Sequence, residues 1–302
     1  MCRHLAYLGP PVPLATLLFD PPHALARQAD APRDMRGGGT VNVDGFGVGW
    51  YPADGPPVRY RRTGPIWTDP DLPALAAATV SGAVLASVRS ATVGMPVTES
   101  ATAPFAEGAW LFSLNGLVPG WPDSIAALAG RLPTRDLLTL EAPTDAATVW
   151  ALLRHRLRTG ADPVRAVAGT VREVVAAAPR SRLNVLVTDG HVVLGTAVGH
   201  ALSVRAAGES VLVCSEPLDA DPDWRPVPDG HLVLAAAGRC EIRRLDAADR
   251  GATWRPDSDW AGNPTVRGTD SRGAGIAESE RSRVAAGAGG RAAQGRRRGR
   301  DA

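Results

Sequence analysis

The sequence predicts an α+β fold with its elements in packed layers, and three observations carry that expectation. Short apolar runs closed off by Gly, Pro and Asp recur over residues 1–260, the pattern of strands that end in turns. Two longer stretches in the middle of the chain space apolar residues three and four apart, the helical period. Strands crowd both ends while helices fill the centre, an order that opposes the strand–helix alternation of a Rossmann unit.

In chain order, GFGVGWY (45–51) reads as a strand. Its alternating Gly45, Gly47 and Gly49 are unfavourable there unless something packs very closely against one face. The competing reading, a phosphate loop, lacks the GxGxxG spacing and a following Lys. A helix is expected at 71–79, then strands at AVLASVRSA (83–91) and WLFSLNG (110–116). The segment 145–158 is a helix by the spacing of Ala147, Trp150, Ala151, Leu153, Arg154 and Leu157. A second long helix, 162–178, has Asp162 as N-cap and Pro163 in its first position. LNVLVTDG (183–190) and HVVLGTAV (191–198) form a hairpin around Asp189-Gly190. SVLVCSE (210–216) and HLVLAAAG (231–238) complete the strands, and no internal repeat is visible.

At 302 residues the chain is long enough to bury a substantial core. With 44% hydrophobic and 21% charged residues it has the balance of a soluble globular protein. No run approaches the roughly 18 apolar residues of a membrane span, and MCRHLAYLGP lacks the order of a secretory signal. All 33 basic residues are Arg. Residues 261–302 hold nine Arg against four acids, a net +5 that leaves −3 for the rest of a chain whose total is +2. Nucleic-acid binding by the body therefore has no electrostatic support. The same stretch has nine Gly and no aromatic residue, so 261–302 is expected to be a disordered tail. Cys2, Cys214 and Cys240 form no CxxC pair, which points away from a disulfide framework or zinc site and toward a reducing cytoplasm. Cys214 and Cys240 lie in strand patterns and are expected to be buried packing residues.

Cys2 stands out because removal of Met1 would make it the N-terminus. One residue would then carry a thiol and a free α-amine whose ordinary pKa, about 7.7–8.0, suits acid–base work near neutrality. On its own, position 2 is also merely permissive. Asn115-Gly116 ends the strand WLFSL, where an amide side chain and the next backbone N–H can converge on one oxyanion, or simply make a turn. Arg89, at a strand end, is a natural bidentate clamp for a carboxylate or a solvated strand terminus. Asp145 opens the helix in PTDAATVWALL, where it either caps that helix or offers a carboxylate to an ammonium group.

In their order and position, MCRHLAYLG, DGFGVGWY, SVRSAT, FSLNG and PTDAATVWALL resemble the class II, N-terminal nucleophile glutamine amidotransferases. SEPLDADPDWRPVPDGHLV (215–233) extends the likeness over nearly all of 1–250. With SVRSATVGMPVTES and no fused synthase, it narrows the likeness to the hydrolases of γ-glutamyl-hercynylcysteine S-oxide in ergothioneine biosynthesis. The resemblance implies a four-layer αββα sandwich of two antiparallel sheets in a domain over 2–255. It implies Cys2 as nucleophile with its own α-amine as base, and Asn115 and Gly116 as oxyanion hole. Arg89, with Thr92 nearby, would hold the substrate α-carboxylate, Asp145 its α-ammonium, and Gly49 and Trp50 would line the site. It implies no metal and no organic cofactor, a small-molecule γ-glutamyl substrate, and neither nucleic acid nor membrane as partner. Leu114 departs from the His that many relatives carry before Asn-Gly, which should alter packing at the oxyanion loop and leave activity in place. Two other functions share these residues: a glutaminase subunit that passes ammonia to a separate synthase, and a non-catalytic scaffold.

Overall fold

A computed structural model describes residues 2–36 and 41–247 of the chain. The tail expected at 261–302 lies outside the described residues, as does the end of the domain expected over 2–255. Within the described residues the chain runs β1 (Arg3–Pro13), α1 (Ala15–Leu18), α2 (Leu25–Asp30), β2 (Phe46–Trp50), β3 (Val58–Arg62), α3 (Leu72–Ala78) and β4 (Val80–Val88). It continues through β5 (Phe105–Glu107), β6 (Trp110–Leu117), α4 (Ala126–Ala129), α5 (Thr134–Leu138), α6 (Asp145–Arg158) and α7 (Pro163–Ala177). The last strands are β7 (Arg182–Thr188), β8 (Val193–Ala197), β9 (Ser203–Ala207), β10 (Ser210–Cys214), β11 (Arg225–Pro226), β12 (His231–Ala236) and β13 (Arg239–Arg244).

The strands form two antiparallel sheets, ordered β11-β9-β10-β1-β4-β2-β3 and β13-β12-β8-β7-β6-β5. Alternation along each strand sorts side chains into three apolar layers. Leu5 and Tyr7 of β1, Val84, Ala86 and Val88 of β4, and Leu212 of β10 pack outward against α1, α2 and α3. Phe112 and Leu114 of β6 and Leu183, Val185 and Val187 of β7 pack outward against α6 and α7. The opposite faces meet between the sheets through Ala6, Leu8, Leu85, Leu111, Leu186, Val193, Val211, Val213 and Val233. This is the expected αββα sandwich, since each sheet face finds an apolar cover.

Both long helices end where their sequence says. Asp162 caps α7 by accepting from the Arg165 N–H at 3.0 Å, with Pro163 next. In α6 the cap is Thr144, whose Oγ1 accepts from the Ala147 N–H at 3.1 Å, so Asp145 is free of that duty. The 189–190 hairpin is pinned by Asp189 Oδ1, which accepts from His191 and Val192 N–H, each at 2.9 Å, while Gly190 takes φ +92°. Cys214 is fully buried, which pushes its thiol pKa up, whereas Cys240 is only half-buried, because its strand is the edge of the smaller sheet.

The alternating glycines mark where β2 lies against the 103–104 loop and β6. A Cβ at Gly47 would lie 2.1 Å from the Ala103 carbonyl oxygen, and one at Gly49 would lie 2.7 Å from Leu111 Cδ1. A side chain at 47 would have to push apart two backbones. Gly47→Ala should therefore lower stability by on the order of 3 kcal/mol in urea unfolding. Gly64→Ala, whose Cβ meets only Thr68 Oγ1 at 3.4 Å, should stay within about 1 kcal/mol of the parent.

Candidate active site

Cys2 immediately precedes β1, a central strand flanked by β4 and β10. Arg3 pairs with Val88, the last residue of β4, so the segment after β4 emerges beside Cys2. The Cys2 thiol points at the Ser90 carbonyl, 3.9 Å away. The backbone of that segment is fixed from the other side. Arg89 N–H donates to the Gly45 carbonyl at 2.7 Å, Asp44 N–H to the Arg89 carbonyl at 2.9 Å, and Ala91 N–H to Asp44 Oδ2 at 2.7 Å. Gly45 holds φ +133°, a region that favours glycine, to make this turn.

A cleft opens here, with Cys2, Arg89, Thr92, Leu114, Gly116 and Asp145 in its walls. Five of the residues expected at the site thus line one cleft, from segments as far apart in sequence as 2 and 145. Arg89 is 9% exposed, and its Nη1 is buried with no hydrogen-bond partner among the described residues. Asp145 is 7% exposed. Its Oδ2 accepts from Val118 N–H at 2.9 Å and its Oδ1 from Ala146 N–H at 2.8 Å. Burial raises the Asp145 pKa, opposed by those two N–H groups and by the nearby Arg89 charge. The cleft therefore carries one guanidinium and one carboxylate, placed to act on each other electrostatically.

Gly116 lies in β6, and β5 stops pairing with that strand at Phe112. From Ser113 to Gly116 the β6 edge facing away from β7 is therefore left open toward the cleft. Gly116 has no alternative residue, since a Cβ there would lie 1.8 Å from the Arg182 carbonyl oxygen. Asn115 is not in the cleft wall. Its side chain is on the inter-sheet side, where Nδ2 donates to Ser215 Oγ at 3.2 Å and Oδ1 has no partner among the described residues. Gly49 and Trp50 are also outside the cleft. Gly49 pairs with Leu85, four residues up β4 from Arg89, which is roughly 13 Å along a strand. Trp50 packs instead with the core on the helix-covered face.

Two groups of residues near the site gave no local signal in the sequence. One is a polar layer between the sheets. His4 Nδ1 lies 3.2 Å from Ser113 Oγ, and His4 N–H donates to Ser215 Oγ at 3.0 Å. Burial, with the His200 and Arg3 charges adding to it, pushes the His4 pKa down to about 3. Burial, with Arg182 and Arg3, pushes His200 down to about 4, so both rings are neutral at physiological pH. The second group surrounds Glu216, which is 4% exposed. Its carboxylate accepts from Arg3 Nε at 2.7 Å, His23 Nε2 at 2.6 Å, Arg33 N–H at 2.9 Å and Asp34 N–H at 3.1 Å. The only hints were an Arg-His pair opening an apolar run and an acid two residues after the strand SVLVC.

Burial pushes the Glu216 pKa up, but the bonds from His23, Arg33 and Asp34 and the Arg3 charge override it and hold it at about 2, below the ordinary 4.5. A depressed carboxylate stabilises the fold fully above the unfolded pKa and loses that contribution as pH falls toward the folded one. The gap in thermal midpoint between the parent and Glu216→Gln should therefore be widest above about pH 5. It should close progressively from about pH 4.5 to about pH 2 when melting is followed by circular dichroism.

No protein-family model matches the chain. It is 42% identical over 233 residues to the γ-glutamyl-hercynylcysteine sulfoxide hydrolase of Mycolicibacterium smegmatis, covering 77% of this chain and 95% of that protein. It is 39% identical over 249 residues to the protein of the same name from Mycobacterium tuberculosis, covering 82% and 98%. Among solved structures, a class II glutamine aminotransferase domain protein from Silicibacter pomeroyi superposes with a TM-score of 0.59 at 23% identity, over 81% of this chain and 99% of that one, a likeness of fold. Among the described residues no helix is long and apolar enough to cross a membrane, and no three His, Cys, Asp or Glu side chains are grouped to hold a metal ion.

Proposed function

Because the chain belongs to the family of γ-glutamyl-hercynylcysteine sulfoxide hydrolases, we propose that its cleft hydrolyses the γ-glutamyl amide bond of γ-glutamyl-hercynylcysteine S-oxide, through a thioester on Cys2. The products are glutamate and hercynylcysteine S-oxide. One observation carries the reading. A buried guanidinium nitrogen with no partner among the described residues, a buried carboxylate and a cysteine share one cleft, and a γ-glutamyl group ends in a carboxylate and an ammonium. Arg89 receives the carboxylate, a charge-assisted bond its free Nη1 is placed to make, and Thr92 stands beside it in the wall. Asp145 receives the ammonium. Two of its lone pairs already hold Val118 and Ala146 N–H, which fixes its rotamer and leaves acceptor capacity for the substrate.

Removal of Met1 frees the α-amine of Cys2, which takes the thiol proton as sulfur bonds to the γ-carbonyl carbon. The negative charge that develops on oxygen is met by the backbone N–H of Gly116 on the open edge of β6. Such a donor is worth about 3–4 kcal/mol in the transition state, whereas Asn115, expected as a second donor, has its Nδ2 on Ser215 Oγ outside the cleft wall. The α-ammonium then passes its proton to the departing nitrogen as the C–N bond breaks, leaving the thioester. Water gives a proton to the amine and attacks, the C–S bond breaks, and the thiol is restored as glutamate leaves. The Leu114 side chain in the wall can neither give nor take a proton, so the proton transfers stay with the Cys2 amine.

Incubation of the purified protein with γ-glutamyl-hercynylcysteine S-oxide, beside free glutamine, tests this through glutamate release. The sulfoxide should be cleaved with the higher kcat/KM. Cys2→Ala and a form that retains Met1 should both be inactive, and full activity in either overturns the reading. Preference for glutamine, with ammonia release stimulated by a second protein, would point to an ammonia-delivering subunit instead.

Arg89→Lys and Asp145→Asn should each raise KM by on the order of tenfold or more, because each removes one charge-assisted contact to the glutamyl end. Steady-state kinetics with the same substrate measures both.

A further inference from the structure

The proposed chemistry leaves one buried charged side chain in contact with the nucleophile unexplained. Arg3 is 1% exposed, and its guanidinium uses every nitrogen. Nε donates to Glu216 Oε1 at 2.7 Å, Nη1 to the Cys2 carbonyl at 2.9 Å, and Nη2 to the Asp34 carbonyl and to Met35 Sδ. Three separate pieces of chain meet on this one planar group: the residue that carries the nucleophile, the 33–35 loop, and the turn after β10. Glu216 in turn binds Arg33 and Asp34 N–H and the His23 ring, while Gln28 Nε2 donates to the Glu216 carbonyl at 3.2 Å.

We propose that Arg3, held by Glu216, is a positioning residue for the Cys2 nucleophile: it grips the Cys2 carbonyl and sets the angle at which thiol and α-amine face the cleft. Cys2 needs such a grip. It precedes the first paired residue of β1, so the ladder that orders Arg3 to Leu8 does not reach it. An amino-terminal residue without one would swing about its own backbone torsions, and a displacement of about 1 Å at a reacting atom can slow a reaction by about 100-fold. Stability alone gives little reason for the arrangement, since two buried charges of this kind seldom outperform a well-packed apolar pair. The geometry gives a better one. Only a rigid fork of donors can serve Glu216, Cys2 and Asp34 together, and the neutral pair it makes with Glu216 adds no net charge behind the cleft. Neither residue contacts the glutamyl end of the substrate, which Arg89 and Asp145 hold.

The proposal rests on the hydrolase reading of the cleft, and the experiment separates the two. Arg3→Lys keeps the charge and loses the fork. Glu216→Gln keeps an acceptor and loses the charge that orients Arg3. Each variant is assayed well below its own melting midpoint, so that it is fully folded. Glutamate release from γ-glutamyl-hercynylcysteine S-oxide separates turnover from KM, and mass spectrometry follows labelling of Cys2 by a glutamine-like diazoketone and by iodoacetamide. Turnover should drop between roughly tenfold and 100-fold, while KM stays within about threefold of the parent. Labelling by the diazoketone should slow in parallel, while iodoacetamide, which needs no fixed approach, should react within about threefold of the parent rate. Folded variants that turn over as fast as the parent overturn the proposal. So does a loss carried wholly by KM, or a failure of both variants to fold, which would make the pair a folding element alone. A parent protein that neither releases glutamate nor labels at Cys2 would instead remove the hydrolase reading itself.

Discussion

The placement of β1 in the interior of the larger sheet is the constraint on which the rest of the structure depends. A strand paired on both sides has no freedom to slide, because a one-residue slip would turn Leu5 and Tyr7 from the helix-covered core into the space between the sheets. The register that buries them also delivers Cys2 to the end of the sheet where β4 runs out at Val88 and Arg89 begins. The nucleophile is therefore located by core packing, and its cleft partners arrive from whichever other strands and helices end at the same level.

The two sheets meet that end with different chemistry from the rest of their interface. Toward Leu8, Leu85 and Val193 the inter-sheet space is apolar. Toward the site it holds His4, Ser87, Ser113, Asn115 and Ser215, linked by hydrogen bonds between side chains and to backbone. The hydrogen bonds of this layer restrict the arrangements open to it, while Asn115 Oδ1 and His4 Nε2 are buried with no partner among the described residues. The Ser87 hydroxyl on the Ala103 carbonyl and the bare Cα atoms of Gly47 and Gly49 draw the β2–β4 region onto the 103–104 loop and β6. The open edge of β6 is thereby brought within one cleft of the residues that follow β4.

Much of the architecture was legible because it rests on local signals. The helix 145–158, the Asp162 cap with Pro163, and the Asp189-Gly190 hairpin depend on residues a few positions apart, and each stands where its pattern placed it. The alternating glycines were legible as a close approach, though their partner was not. Strands such as β3, β9 and β13 escaped notice: Arg interrupts each of them, large apolar residues are few, and all three are at or next to a sheet edge. Asp145 shows the limit of local reading. Its position suggests a cap, but Thr144 beside it can do that work, and the Val118 N–H that claims the carboxylate is 27 residues away.

By itself the sequence determined which residue types were available for chemistry and where the two long helices, the hairpin and the more apolar strands would lie, since periodicity, caps and turn residues act over short distances. It also carried the ordered motifs by which family membership could be seen. Only the tertiary structure decided that Gly116 faces the cleft while Asn115 turns to Ser215, and that Gly49 and Trp50 stand well up their strand from the site. It alone showed that Arg3 and Glu216, 213 residues apart, close on each other around Cys2. The physical reason is that a buried charge is stable only with its partner, and the identity of that partner is set by how the strands pair across the sheet, which no short stretch of sequence contains.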